Sequence, residues 1–491
     1  PFIFTTCLDD NEKQLREVFR NCDDVLFRPF WAGETQALLV YLYELTDMAL
    51  LNNDVLQTLM VRDGRPPSAL TLENLLNNLV TIASLRTTDK VSEAVEATMA
   101  GAAILVVDGL AEIIILKATK YVKRSVEEAK TETVARGPHD AFTETLTDNL
   151  ALIRRRSKDP NIKVRVVQLG ARSKTDLAIV YSANIVKPGL VAEVERRLNR
   201  IKLDHITLSA QIEEFIIDHP WSPFPQTHVT ERPETLVVSI YEGRVALILD
   251  NTPYAFIVPC TLSSMIQSTD DFTIQPVIAS LVRFSRYVSA FLGVFLPSIY
   301  IAIVSYNPGM MPTSLAITVA ELRARTPYPA VMEVIIMEII LELFQEAVLR
   351  MPQKIAPAAS IVGGFVIGTT IVQAGIVNAL LVVAIAGTAI ASYTMPSYNL
   401  GLALRWLRIP MILLTAILGF YGMVLGYLVI VVYMCSLRSF GESFIGGLFD
   451  ITLFEDMQDK LVRLPMTWMS SRPKIFGSQN RTRMGDQNGQ S

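Results

Sequence analysis

The sequence predicts a multi-domain membrane protein, in which a soluble N-terminal α/β region of two related subdomains precedes an all-α polytopic transmembrane domain. Three observations carry this prediction. Residues 355–404 contain no charged side chain. Residues 1–282 hold more acidic than basic residues, whereas residues 283–491 hold more basic than acidic ones. Within the acidic part, one pattern of strands and a helix occurs twice.

The uncharged run at 355–404 predicts two membrane spans. The hydrocarbon core of a bilayer is about 30 Å thick and is crossed by about 20 apolar helical residues, so the run is long enough for two helices. We expect the turn between Gln373 and Asn378, where polar residues and a glycine interrupt the aliphatic sequence. A buried helix pair in a soluble protein is the alternative, but soluble domains seldom need so long a run without charge.

The N-terminal half contains the same unit twice. An apolar strand followed by an amphipathic helix is predicted at 37–59 and again at 177–198. Later in each copy, two strands flank a tight turn, at 104–116 and at 246–258.

The spacing of the two copies favours a duplication over coincidence. Tyr41 and Tyr181 are about 140 residues apart, and so are Asp108 and Asp250. We therefore expect 37–130 and 177–262 to fold alike. The predicted domains are α/β subdomain 1 at 1–136, α/β subdomain 2 at 137–282, a transmembrane helical domain at 283–440 with about four to six spans, and a partly disordered cytoplasmic tail at 441–491.

Further apolar segments flank the long run. Residues 287–306 predict a span, and a short segment broken by proline follows Asn307. Residues 409–437 predict another long helix. Basic residues lie before the first span and again around the uncharged run, which places these sites and the N-terminal domain on the cytoplasmic side. Whether the number of spans is odd or even stays open.

The apolar helix predicted at 328–349 carries four carboxylates, Glu333, Glu338, Glu342 and Glu346. At about 100° per residue, the last three fall on one narrow stripe. Carboxylates inside an apolar helix are costly unless they face water, a cation path or a basic partner, so the four are the candidate ion-pathway residues. The alternative is a helix lying in the membrane interface with its carboxylates in water.

Other chemistry finds little support in the sequence. No nucleotide-binding loop, zinc-protease motif or nucleophile elbow is present, which predicts a protein that is not an enzyme and needs no cofactor. The four cysteines and four histidines lack metal-ligand spacing. The acidic N-terminal half also argues against nucleic acid as a partner.

Several ordered blocks resemble the GerA family, the A subunits of spore germinant receptors. They are SKTDLAIVYSANIV, VERRL, SPFPQTHVTERPE, EGRVALILDNTP, QSTDDF, EAVLRMP and IVGGFVIGTTIVQAGIV. The resemblance extends from about Arg136 to Arg438, with a weaker match before it. Glu346, Arg350 and Pro352 fall on the family's EA-x-x-R-x-P block, and Arg232 and Pro233 lie in the third block, where we expect a rigid loop of the second subdomain. The sequence after SFG departs from the family's Pro-rich turn.

The resemblance implies a multi-pass protein of the spore inner membrane with a cytoplasmic N-terminal domain. It also implies B-type and C-type receptor subunits as partners, nutrient binding by the B-type subunit, and a homo-oligomer of A subunits that conducts ions. The first functional hypothesis is thus a germinant receptor subunit that forms an ion channel for monovalent cations. A non-conducting scaffold that clusters receptors, and a secondary transporter, are the alternatives. The transporter is disfavoured because no inverted repeat is apparent in the apolar half.

Overall fold

A computed structural model describes residues 3–60, 70–120, 132, 136–352, 354–446 and 459–483. The chain divides into two compact units. The α/β unit consists of Pro1–Ile217, Thr227–Pro259 and Ser470–Ser491, and the helical unit consists of Asp218–Gln226 and Cys260–Met469.

The first subdomain of the α/β unit is a five-stranded antiparallel sheet flanked by helices. Its elements are α1 Leu8–Val18, β1 Val25–Ala32, β2 Thr35–Leu42, α2 Met48–Leu51, α3 Gln57–Leu59, α4 Leu72–Asn74, β3 Leu85–Thr88, α5 Val91–Met99, β4 Ala103–Val107 and β5 Ile113–Leu116. A π-helical turn at Asn52–Leu56 connects α2 to α3, and another at Leu75–Leu79 extends α4.

The second subdomain repeats this plan. Its elements are α6 Leu146–Arg156, β6 Ile162–Leu169, β7 Thr175–Ser182, α7 Leu190–Leu198, α8 Ser209–Ile216, β8 His228–Thr230, α9 Pro233–Tyr241, β9 Val245–Leu249 and β10 Ala255–Val258. The strand orders are β1-β2-β4-β5-β3 and β6-β7-β9-β10-β8, so the two sheets have the same topology. The predicted duplication of the N-terminal region is therefore confirmed.

The central strands of each sheet are buried on both faces. In β2, Leu38 and Val40 pack in one apolar cluster with Leu15 of α1. Leu39, on the opposite face, packs with Val55 in a second cluster. Side chains alternate between the faces of a strand, so a run of apolar residues such as ALLVYL indicates a central strand covered on both sides.

A buried ion pair joins the two subdomains. The guanidinium of Arg154 in α6 donates to both carboxylate oxygens of Asp24 at 2.7 and 3.1 Å. Both side chains are almost fully buried. The Nζ of Lys163 donates to the carbonyl of Val18 at 2.8 Å across the same boundary. Buried charges require such partners, so this contact fixes how the first sheet meets the second.

The helical unit has seven α-helices among its described residues. They are α10 Leu262–Ile266, α11 Pro276–Ile301, α12 Thr313–Arg323, α13 Ala330–Arg350, α14 Ala356–Gln373, α15 Ala379–Tyr393 and α16 Tyr398–Ser436. Three of these helical segments are long and apolar enough to cross a membrane, namely Pro276–Tyr306, Ala356–Gln373 and Tyr398–Ser436. The predicted all-α domain after the α/β region is thus confirmed, while four to six spans stays a prediction.

The turn predicted inside the uncharged run is also confirmed. The helix α14 ends at Gln373 and α15 begins at Ala379. Gly375 has a φ of 65° in the connection. Asn378 caps α15, since its side-chain oxygen accepts from the N–H of Leu381 at 2.9 Å. Glycine tolerates a positive φ and asparagine is a preferred N-cap, which explains why these residues interrupt the aliphatic sequence.

Helix α11 begins before the uncharged segment from which its span was predicted. It starts at Pro276, and the domain boundary predicted at residue 282 falls inside it. Arg283, one of the basic residues that precede the predicted span, is fully buried and binds Asp271 at 2.8 Å and Asp459 at 3.0 Å. Proline is well suited to the first helical position, and the arginine is tolerated because both carboxylates neutralise it.

Two segments differ from the sequence-based expectation. The prolines at 222–225 lie in the helical unit rather than in the second subdomain, and Phe224 packs there against Tyr433 and Phe444 with ring centroids at 6.3 and 5.9 Å. The tail was expected to be disordered from about Arg472, yet the described residues up to 483 pack on the second subdomain. Arg472 donates to the carbonyl of Tyr241 at 2.6 Å.

Arg232 and Pro233, in contrast, lie in the second subdomain as expected. Pro233 is the first residue of α9. The side chain of Arg232 is buried and donates to the carbonyls of Glu132 and Pro138 and to the carboxylate of Glu234. Such a set of contacts holds the loop before α9 in one conformation.

Candidate functional site in the helical unit

The most buried charged pair of the candidate site joins α13 to α16. Arg408 of α16 donates to the Glu338 carboxylate at 2.7 Å; the arginine is buried, and 13% of the glutamate side chain is exposed. The same guanidinium donates to the carbonyl of Gly293 and to the hydroxyl of Ser392, each at 2.9 Å. Four elements of the bundle therefore meet at one arginine, because Gly293 lies in α11 and Ser392 in α15.

The next two carboxylates of the stripe also have arginine partners. Glu342 accepts from Arg405 of α16 at 2.5 Å. Glu346 accepts from Arg350, four residues later on the same helix, at 2.6 Å. The exposed fraction of the carboxylate side chains rises along the helix, from 13% at Glu338 to 43% at Glu342 and 53% at Glu346. The stripe thus leads from the inside of the bundle to the C-terminal end of α13.

Glu333 lies apart from these three residues. It precedes Glu338 by five positions, so the two side chains point about 140° apart around the helix axis. Its carboxylate is fully buried and accepts from the hydroxyl of Thr326 at 2.7 Å and from the side-chain amide of Asn378 at 2.7 Å. The same amide nitrogen donates to the hydroxyl of Tyr300 at 2.6 Å. These contacts tie the beginning of α13 to the beginning of α15.

The two remaining predicted site residues lie where α13 ends. Arg350 is the last residue of α13, and Pro352 follows directly after its C-cap. The carbonyl of Pro352 accepts from the N–H groups of Ile355 and Ala356, at 2.9 and 3.1 Å. Proline cannot continue a helix, so the EA-x-x-R-x-P block ends one helix and starts the next.

The sequence did not identify the partners of the carboxylates. Arg405 and Arg408 were interpreted as charges flanking a span, which is the usual role of arginines beside an apolar segment. Their spacing of three residues places them on one face of α16, and this was the available signal. Nothing in a single sequence indicates which helix such a face meets.

The arrangement can provide oxygen ligands to a cation. Among the described residues, no group of three or more histidine, cysteine or acidic residues has the geometry of a metal site. Monovalent cations are bound by oxygens at exchangeable sites, and rings of carboxylates favour cations over anions. A guanidinium beside each carboxylate neutralises the stripe in this conformation.

Comparison with known proteins identifies the family. Residues 13–475 match the family described as Bacillus/Clostridium GerA spore germination protein. The chain belongs to this family. The resemblance predicted from the sequence blocks is confirmed, and the match also includes most of the first subdomain. GerA proteins are germinant receptor subunits, and the apolar helices agree with a membrane protein.

Two relatives and one solved structure illustrate the similarity. The chain is 34% identical over 474 residues to the uncharacterized membrane protein YfkQ of Bacillus subtilis (strain 168), covering 96% of this chain and 92% of YfkQ. It is 34% identical over 469 residues to spore germination protein B1 of the same organism, covering 95% and 96%. A crystal structure of the N-terminal domain of the A subunit of the Bacillus megaterium spore germinant receptor GerK3 is 27% identical, covers 52% of this chain and 96% of that one, and has a TM-score of 0.42.

Proposed function

We propose that this GerA-family protein is a membrane subunit of a germinant receptor that forms an oligomeric path for monovalent cations. The observation that carries the proposal is the stripe of Glu338, Glu342 and Glu346 on an otherwise apolar helix, each paired with an arginine. The proposal places α13 within the membrane, where carboxylates are costly unless they have a functional role. The protein would act by conduction and not as an enzyme.

The arginines suggest how such a path would be closed and opened. A permeating cation needs carboxylate oxygens to replace its hydration shell. In the described conformation Arg408 and Arg405 occupy Glu338 and Glu342, so a cation would have to compete with two guanidinium groups. A shift of α16 relative to α13 would release both carboxylates together. This shift is the proposed gating step.

Assembly would turn the stripe into a pore. In one copy the three carboxylates form a line, whereas symmetric copies around an axis would form stacked acidic rings. We place the protein in the spore inner membrane with the α/β unit in the cytoplasm, together with B-type and C-type subunits. Binding of a nutrient to a partner subunit would then move the helices. Glu333 belongs to the predicted path but is already held by hydrogen bonds, so the test concerns the stripe.

Ion flux into liposomes that contain the full chain together with its B-type and C-type partner subunits tests the proposal. The double variant Glu338→Gln/Glu342→Gln keeps the size of both side chains and removes two negative charges. We expect its cation flux to fall at least about tenfold, since the two carboxylates together would contribute more than about 1.4 kcal/mol to cation stabilisation in the path. Anion flux reports whether selectivity changes as well.

The matched control is Glu321→Gln, at an exposed carboxylate of α12 in the same unit. It should leave flux unchanged. Normal flux in the double variant, at equal protein per liposome, would eliminate the role of the stripe in the cation path and favour the interfacial helix, which needs no carboxylate at these positions. No protein-dependent flux in the wild type would instead favour the non-conducting scaffold. Saturating flux that requires a second solute would instead favour the secondary transporter.

A further inference from the structure

A basic cavity lies between the two subdomains of the α/β unit. Its volume is about 460 Å³. The first subdomain contributes Arg86, Lys117 and Lys120, and the second contributes Arg154, Arg155 and Lys158. Among the described residues that line it, none is an aspartate or a glutamate. This concentration of positive charge occurs in a half of the chain whose overall balance is acidic.

Most of these charges have no partner in the described parts of the chain. Arg154 is the exception, since it is neutralised by Asp24. The side chains of Arg86, Lys117, Lys120 and Lys158 form no hydrogen bond or ion pair with any described residue, and Arg155 forms none either, although it lies in the field of Asp140. Five cations around one cavity repel each other, and an anion bound among them would relieve that repulsion.

The uncharged part of the lining indicates what kind of anion fits. Ser84 and Thr119 offer hydroxyl groups beside the cations, while Leu45, Met99 and Ile115 form an apolar wall. Cavities of about 300–1,000 Å³ accommodate organic molecules of moderate size, which exceeds the size of a single inorganic anion. Arginine and lysine are the side chains that most often bind phosphate groups in proteins.

We propose that this cavity binds a phosphorylated small molecule with at least two negative charges. The phosphate lies among the lysines and arginines, and the organic part rests on the apolar wall. The ligand contacts both subdomains at once, so its binding also fixes their mutual arrangement. A soluble phosphorylated metabolite and the headgroup of an anionic phospholipid share this chemistry. The site is independent of the proposed cation path, since all its residues belong to the α/β unit.

Calorimetric titration of the full chain with pyrophosphate tests the site. The protein is held in a neutral detergent at constant ionic strength, with citrate as the phosphate-free polyanion. We expect saturable binding of pyrophosphate that is at least about tenfold weaker in Lys117→Ala/Arg155→Ala, because this variant removes two charge-assisted contacts. The control Lys13→Ala/Lys202→Ala removes the same charge at exposed positions outside the cavity and should retain the wild-type affinity.

Three results would overturn the proposal. These are no saturable binding of pyrophosphate to the wild type, equal weakening in the cavity and control variants, and binding of citrate as tight as that of pyrophosphate. The source of the phosphate is then assigned by repeating the titration in nanodiscs. If pyrophosphate binds more weakly in nanodiscs that contain cardiolipin, which carries two phosphates, than in phosphatidylcholine nanodiscs, and the difference disappears in the cavity variant, the site takes a lipid headgroup. Equal affinity in both lipids supports a soluble ligand at the same site.

Discussion

Asp108 and Asp250 accept equivalent hydrogen bonds in the two subdomains. Asp108 accepts a hydrogen bond at 3.1 Å from the N–H of Leu8, and Asp250 accepts one at 3.0 Å from the N–H of Leu146. Leu8 and Leu146 are the first residues of α1 and α6, and neither helix is capped by the side chain of its own N-cap residue. An aspartate in the turn between two strands thus caps a helix about a hundred residues away.

Replacing Asp250 with alanine should destabilise the protein by about 0.5–2 kcal/mol, the usual effect of losing a helix cap. Asp108→Ala should have a similar effect, because the geometry is equivalent. The measurement is the midpoint of denaturant unfolding of the purified full chain. Glu112→Ala serves as the control, since Glu112 is an exposed carboxylate close to Asp108 in the sequence. Equal midpoints for the wild type and both aspartate variants would contradict the capping role.

The duplication could be predicted because short sequence patterns within each copy still show it. Strand and turn patterns survive in both copies, and the pair of aspartates shares the offset of the tyrosine pair. The helices that begin each subdomain were not predicted. Their clearest signal is a second pair, Asn11 and Asn149, each of which bonds the backbone of a threonine six residues before it. Each asparagine holds the loop before its helix through this contact. The contact depends on how the loop folds back, so the sequence alone did not reveal the two helices.

The pH dependence of stability should contain a contribution from Glu44. Burial, with a smaller effect of Asp24, raises the pKa of this carboxyl to about 8. The folded state therefore keeps the proton that the unfolded state loses above its ordinary pKa. The contribution of Glu44 to stability is therefore greatest below the ordinary pKa of a glutamate carboxyl, and it is lost as the pH rises toward 8. We expect Glu44→Gln to remove this part of the decline, by about 1–3 kcal/mol at pH 8, and to change little at pH 5.

Thermal unfolding of wild type and Glu44→Gln at pH 5 and pH 8 checks this expectation. Other groups titrate over the same interval, so the informative quantity is the difference between the two proteins at each pH. Glu73→Gln, at an exposed carboxylate of the same subdomain, is the control. A constant difference between wild type and Glu44→Gln at both pH values would mean that the carboxyl does not hold its proton in the folded state.

The break in α16 depends on Gly419. This residue has a φ of 61° and a ψ of −141°, outside the helical region and accessible almost only to glycine. An added Cβ would lie 2.8 Å from the ring of Tyr306. We expect Gly419→Ala to destabilise the helical unit by about 1–3 kcal/mol, measured by thermal unfolding of the solubilised full chain. Gly364→Ala, where an added Cβ meets nothing within 4 Å, should be neutral, and a similar loss in both variants would argue against the strained backbone.

The carboxylate stripe was predictable from the sequence, but its electrostatic state was not. Helical periodicity alone places Glu338, Glu342 and Glu346 on one face. Their neutralisation depends on Arg405 and Arg408, which are more than sixty residues away in the chain. Ion pairs between helices depend on how the helices pack, and packing in a membrane is set by close fit rather than by a pattern readable in one segment.

Arg408→Ala should be among the most destabilising single changes in the helical unit. It removes donors to Glu338, Gly293 and Ser392 and leaves a buried carboxylate without its charge partner, which costs about 3–5 kcal/mol. Glu338→Gln should cost less, because the amide oxygen can still accept from Arg408. In the double variant Glu338→Gln/Arg408→Ala the losses should not add. Unfolding of the four proteins in detergent measures this coupling. Arg350→Ala, which breaks an exposed pair, should change stability only slightly, so a loss equal to that of Arg408→Ala would show that burial does not govern these pairs.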